Sequence, residues 1–97
     1  MVRLAGELDL TAADQADSAI RAVETAGAKT IVLDLRELRF MDSTGLRVIL
    51  AADARARREG WMLSLIPGPE SVHRVFRMAL LDQRLDFVEP DDVDGGA

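Results

Sequence analysis

The stretch Thr30-Ile31-Val32-Leu33-Asp34-Leu35 constrains the fold more than any other part of the chain. It is short, rich in β-branched residues and almost continuously apolar. Runs of this kind suit a strand covered on both faces, in a parallel or mixed sheet under helices. What flanks it must therefore supply the cover.

The flanking segments have helical signals. From Thr11 to Ala26 the spacing predicts a helix with Thr11 as N-cap, Asp14 three residues on, and an apolar stripe of Ala16, Ala19, Ile20 and Val23. Gly27 is its stop. A second helix is predicted from Ser43 to Glu59, with Leu46, Ile49, Leu50 and Asp53/Ala54 inward, Arg47, Arg55 and Arg58 outward, and Gly60 at its end. A third is predicted from Ser71 to Leu81, with Val72, Val75, Phe76, Ala79 and Leu80 inward. Pro67-Gly68-Pro69 breaks the chain before it.

The remaining strands are shorter. Val2 to Leu8 alternates, with Val2, Leu4 and Leu8 on one face and Gly6 marking a bulge or close approach. Arg36 to Arg39 reads as a polar connection with Leu38 turned inward. Trp61 to Ile66 and Leu85 to Val88 read as further strands. The order β-α-β-α-β-α-β predicts one α/β domain over residues 1–90, a sheet of about four strands with three or so helices packed on it. Residues 91–97 are acidic and glycine-rich and read as a frayed, disordered tail.

Composition excludes several functions. The chain has 97 residues, no cysteine and a net charge of −5 from 12 basic and 17 acidic residues. It offers no disulfide framework and no thiolate metal site. An acidic domain binds nucleic acid poorly, because phosphate attraction dominates that affinity. No run approaches the ~20 apolar residues of a membrane span. Met1 to Glu7 lacks the basic and apolar regions of a signal peptide. Arg55, Arg57 and Arg58 read as the solvated end of a helix. His73 has no second ligand at metal spacing and reads as a surface or packing histidine. There is no Gly-rich phosphate loop and no selectable catalytic set, so the expectation is a binding module without a cofactor rather than an enzyme.

One segment stands apart. Asp42-Ser43-Thr44-Gly45-Leu46 places hydroxyls where a strand passes into a helix. A helix N-terminus presents unpaired N–H groups and partial positive charge, so a phosphate there is stabilised. Taken alone, the segment is read more simply as a structural N-cap by Asp42 or Ser43.

Gly6-Glu7-Leu8-Asp9, the Thr-initiated helix, Ile31-Val32-Leu33-Asp34-Leu35 and Phe40-Met41-Asp42-Ser43-Thr44-Gly45-Leu46 together resemble the STAS domain, and within it the bacterial anti-sigma factor antagonists. The resemblance spans about Val2 to Val88. It implies a mixed STAS-type sheet, and it implies that Ser43 is phosphorylated by an anti-sigma factor that is also a serine kinase. The unphosphorylated form would bind that kinase and release its sigma factor, and a phosphatase would reset the switch. Asp42 and Thr44 would shape the loop, Gly45 would permit close backbone approach, Leu46 would anchor the helix, and Asp9 would lie near the same surface. Thr44 is a second hydroxyl, and only the alignment to the motif selects Ser43.

Members usually carry a further strand ahead of Gly-Glu-Leu. Only Met1 to Ala5 precede Gly6, so the sheet is expected without it, as a monomer or weak homodimer. The resemblance places the protein in the cytoplasm, off the membrane and without direct nucleic-acid contact. Two other functions share the fold: a STAS subunit of a transport or stress-signalling assembly, with Val48, Ala51 and Ala52 as contacts, and a nucleotide-binding module. No basic cradle supports the last.

Overall fold

A computed structural model describes residues 1–94. The elements are β1 (Val2–Leu8), α1 (Ala13–Thr25), β2 (Thr30–Met41), α2 (Ser43–Glu59), β3 (Met62–Ile66), α3 (Glu70–Met78) and α4 (Pro90–Asp94). The strands pair in chain order, β1-β2-β3, and both ladders are parallel rather than mixed. Crossovers between parallel neighbours share one hand, which puts successive helices on the same face.

That face holds the core. Val2, Leu4 and Leu8 of β1, Ile31 and Leu33 of β2, and Leu63 and Leu65 of β3 form one cluster with Ile20 of α1, Ile49 and Ala52 of α2, and Val72 and Phe76 of α3. The other face differs from the doubly covered strand expected. Arg3, Ala5 and Glu7 are exposed there, and Asp34 is covered by charge. Its carboxylate accepts from Arg36 Nε at 2.9 Å and Nη2 at 2.8 Å, and Arg3 Nε lies 3.9 Å away.

β2 continues to Met41, through the residues read as a polar connection. The pairing explains the misreading. Arg3 faces Asp34, but Ala5 faces Glu37; Gly6 faces Leu38, but Glu7 faces Phe40. At each shift β2 carries one extra residue, so the inward side chains Leu35, Leu38 and Met41 fall three apart instead of two. Gly6, at the second shift, has φ +76°.

The expected fourth strand shrinks to a single parallel bridge, Leu65 to Phe87. Leu65 N donates to Asp86 O and Val88 N to Leu65 O, both at 2.8 Å. Phe87 N then turns back to Leu85 O at 3.1 Å, and this tight curl prevents a longer ladder.

Three helices depart from their predicted faces. α1 buries Ala13, Ala16 and Ile20, while Ala19 is exposed. α2 buries Gly45, Ile49, Ala52, Arg55 and Ala56; Leu46 and Leu50 only flank this stripe, and Ala54 is exposed. Ala52 is therefore core, not a surface contact. Arg55 is buried because its Nε donates to Glu24 Oε1 at 2.7 Å, clamping α2 to α1, with Asp17 3.6 Å from Nη1. α3 ends at Met78, so Ala79 and Leu80 lie outside it and face solvent. Leu80 adopts φ +60° and Leu81 N donates to Phe76 O at 2.8 Å, which turns Leu81 inward instead. His73 packs edge-on against Phe87, with ring centres 4.8 Å apart. The expected tail begins as a turn of helix, α4; residues 95–97 of that tail lie outside the described residues.

Candidate functional site

β1 and β2 end side by side. Leu8 pairs with Met41, and Asp42 N donates to Leu8 O at 3.4 Å. Each strand is followed at once by an aspartate, Asp9 and Asp42. Open α/β sheets bind ligands and partners at the carboxyl ends of their strands, where the connecting turns gather.

Asp9 organises the first turn. Its Oδ1 accepts from Thr11 Oγ1 at 2.8 Å, Thr11 N at 3.1 Å and Ala12 N at 3.2 Å. Thr11 is thus a partner of Asp9 rather than the N-cap of α1; that position is Ala12, which makes no side-chain cap. The reason is that Asp at the start of such a turn bonds backbone two and three residues on. The Thr11 hydroxyl, aided by the Ala12 and Thr11 N–H groups, holds the Asp9 carboxyl below its ordinary value. It is ionised at neutral pH.

Asp42 organises the second turn. It is the extended N-cap of α2, and its Oδ1 accepts from Thr44 N at 2.9 Å and Gly45 N at 3.1 Å. The capping carboxylate also suits the positive end of the helix. Ser43 is the first helical residue and is exposed. Among the described residues its hydroxyl has no hydrogen-bond partner. The capping role that Ser43 could have filled is thus taken by Asp42, and the serine hydroxyl is left to solvent.

The next residues fix the height of the turn. A Cβ on Gly45 would stand 2.3 Å from Leu8 O and 2.9 Å from Met41 Cγ, so only glycine lets α2 start this close to the sheet. Leu46 is half-buried against the core. Thr44 is half-buried and lines a groove of about 390 Å³ between α2 and α1, with Arg47, Val48, Ala51, Ala13 and Asp17. Leu10 and Phe40 are exposed at the same end of the sheet. The sequence marks Phe40 only as part of the motif and not as a surface residue; its phase, between inward Leu38 and Met41, was the available signal. No cluster among the described residues has the makings of a metal site.

The model of the family described as "Mlab, STAS domain" matches residues 1–89. The anti-sigma F factor antagonist of Paenibacillus polymyxa is 35% identical over 80 residues, which cover 81% of this chain and 68% of that protein. The chain belongs to the anti-sigma factor antagonist family of STAS domains. Solved structures show the same fold. The anti-sigma factor antagonist SpoIIAA in its unphosphorylated form superposes with a TM-score of 0.76 at 27% identity, covering 98% of this chain and 86% of that one. An anti-sigma factor antagonist from Mycobacterium paratuberculosis superposes with a TM-score of 0.83 at 24% identity, over 97% of this STAS domain and 80% of that chain. No helix among the described residues is long and apolar enough to cross a membrane.

Proposed function

We propose that this STAS domain is a phosphorylation-switched antagonist. In its unmodified form it binds an anti-sigma factor that is also a serine kinase and so releases a sigma factor. Phosphorylation of Ser43 ends the binding, and a phosphatase restores it. The domain itself performs no catalysis and works in the bacterial cytoplasm. The observation that carries this reading is the exposed, unbonded hydroxyl of Ser43 on the first turn of α2, with the cap already supplied by Asp42.

The physics of the switch follows from that position. Phosphate adds about −1.5 to −2 charges. In the free protein the helix N-terminus and solvent accommodate it, so the fold stays as it is. Inside an interface packed for a neutral hydroxyl, with the carboxylates of Asp9 and Asp42 on the same turns, the group is costly to desolvate. A coupling of about 3 kcal/mol weakens binding more than a hundredfold. Thr44 and Leu46 are less available, because both are half-buried. Asp9, Asp42, Thr44, Gly45 and Leu46 join Ser43 as the partner-binding set.

A second reading is prompted by the description of the matching family model, Mlab. The chain would then be a subunit of a transport or stress-signalling assembly with no kinase cycle. Intact mass after incubation with ATP and each candidate anti-sigma kinase separates the two. The antagonist reading requires one added phosphate that disappears in Ser43→Ala. Stable complexes without phosphate transfer in both versions would replace it with the second reading.

A further inference from the structure

Ser43 and Arg47 stand four residues apart on α2, and both are exposed. Residues at this spacing are neighbours on a helix surface, with Cβ atoms about 5–6 Å apart. Helical side chains lean toward the N-terminus, so the Arg47 side chain leads back over the turn that carries Ser43. An anion four positions ahead of a cation is the favourable order.

Arg47 is also uncommitted. Of the five arginines in α1 and α2, four have carboxylate partners: Arg21 with Asp17, Arg55 with Glu24, Arg57 with Asp53 and Arg58 with Glu59. Among the described residues Arg47 forms no ion pair. Its neighbours one turn away on α2 are Ser43, Thr44, Leu50 and Ala51, none of them acidic. From α1, Asp14 and Asp17 line the same groove. Asp17 is taken by Arg21 at 2.8 Å and lies 3.6 Å from Arg55, which leaves the exposed Asp14 as the competing carboxylate.

We propose that Arg47 receives the phosphate carried by Ser43. This rests on Ser43 as the phosphoacceptor, the reading given above. A phosphate brings about −1.5 to −2 charges and three acceptor oxygens, against the single charge of Asp14. The guanidinium fork meets two such oxygens at once. The carboxylates of Asp9 and Asp42 precede Ser43 in the chain and Arg47 follows it, which draws the group along α2. Phosphorylation then withdraws a cation from the exposed side of α2 as it adds an anion, so two surface groups change in one step.

The test is phosphorus NMR of the full chain with Ser43 installed genetically as phosphoserine, which needs no kinase. The second ionisation of a phosphoserine lies at about 6, and a guanidinium beside it favours the dianion and lowers the midpoint. Arg47→Gln is expected to raise that midpoint by about 0.5 pH relative to wild type at low salt, with the difference closing toward about 1 M salt. Arg47→Lys keeps the charge and should restore most of the wild-type midpoint, while losing the guanidinium Nε–H signal that moves on phosphorylation. Arg21→Gln removes an equal charge from the same groove, but one held by Asp17, and should change the midpoint little. An unchanged midpoint in Arg47→Gln, or equal rises in Arg47→Gln and Arg21→Gln, overturns the proposal. Because the phosphate is installed directly, that result is separate from the kinase experiment, which decides whether Ser43 is the acceptor.

Discussion

Gly45 sets its bare Cα against the carbonyl of Leu8, so near that a Cβ would stand 2.3 Å from that oxygen. The contact holds the N-terminus of α2 down on the ends of β1 and β2, and with it the height at which Ser43 is presented.

Gly45→Ala therefore has to lift α2 or displace Leu8, since backbone cannot yield as a flexible side chain does. Overpacking of this kind costs about 1–3 kcal/mol, and backbone contact puts it at the upper end. Helix propensity, which favours Ala by about 1 kcal/mol, opposes the change but does not reverse it. Urea denaturation should show a lower midpoint, and amide shifts should move in Leu8, Met41 and the first turn of α2. An unchanged midpoint would mean that the contact is soft.

The Arg55–Glu24 pair supplies a second test. The two side chains are 8% and 10% exposed and make two hydrogen bonds from one guanidinium nitrogen, at 2.7 and 3.1 Å. Removing Arg55 strands the Glu24 charge in the α1–α2 seam, at a cost of about 3–5 kcal/mol, and removing Glu24 leaves Arg55 only the longer contact to Asp17 at 3.6 Å. Glu24→Leu and Arg55→Met singly should both destabilise strongly. The double variant should recover most of that loss, because an apolar pair of similar volume fills the same space. A denaturant-based double-mutant cycle reads the coupling, and additive losses would refute it.

How much of this was legible in the sequence depends on the range of the interaction. The strand run from Thr30 and the Gly27 and Gly60 stops are local, and the structure has them where the pattern indicated. Leu35, Leu38 and Met41 form one inward row, but two bulges spread them beyond a period of two, so Arg36 to Arg39 read as a connection and not as strand. Arg55 read as a solvated cation because its partner lies 31 positions away. Thr11 read as a cap because Asp9 forms the turn one step earlier. At the candidate site, the residue types were visible, but which of Asp42 and Ser43 caps the helix needed coordinates.

Asp34 predicts the acid limb of stability. The Arg36 guanidinium, first by its side-chain hydrogen bonds and then with the Arg36 N–H, holds this carboxyl below its ordinary value of 3.8. The folded protein thus binds that proton less readily than the unfolded chain. Its contribution is full above the unfolded value and is lost as pH falls through the lower folded value. Asp34→Asn should be less stable than wild type at neutral pH, and the difference should shrink as pH falls below about 4. Urea midpoints across that range check it; a difference constant with pH would assign the loss to packing instead of charge.

Leu80 offers a stabilising change. It holds the left-handed position after α3, φ +60°, with Leu81 N donating to Phe76 O at 2.8 Å, in the arrangement that glycine usually completes. A side chain there crowds the following carbonyl by about 1–2 kcal/mol. This one recovers little in return, because Leu80 is 79% exposed. Leu80→Gly should relieve the strain, and the greater freedom of glycine in the unfolded chain offsets part of the gain. The net expectation is a gain of about 0.5–1 kcal/mol, read as a higher urea midpoint at an unchanged slope. Leu80→Asn, which tolerates the same conformation better than leucine, should fall between the two. If both variants are less stable than wild type, the exposed leucine contributes packing beyond its own strain, and the order of the two would show how much.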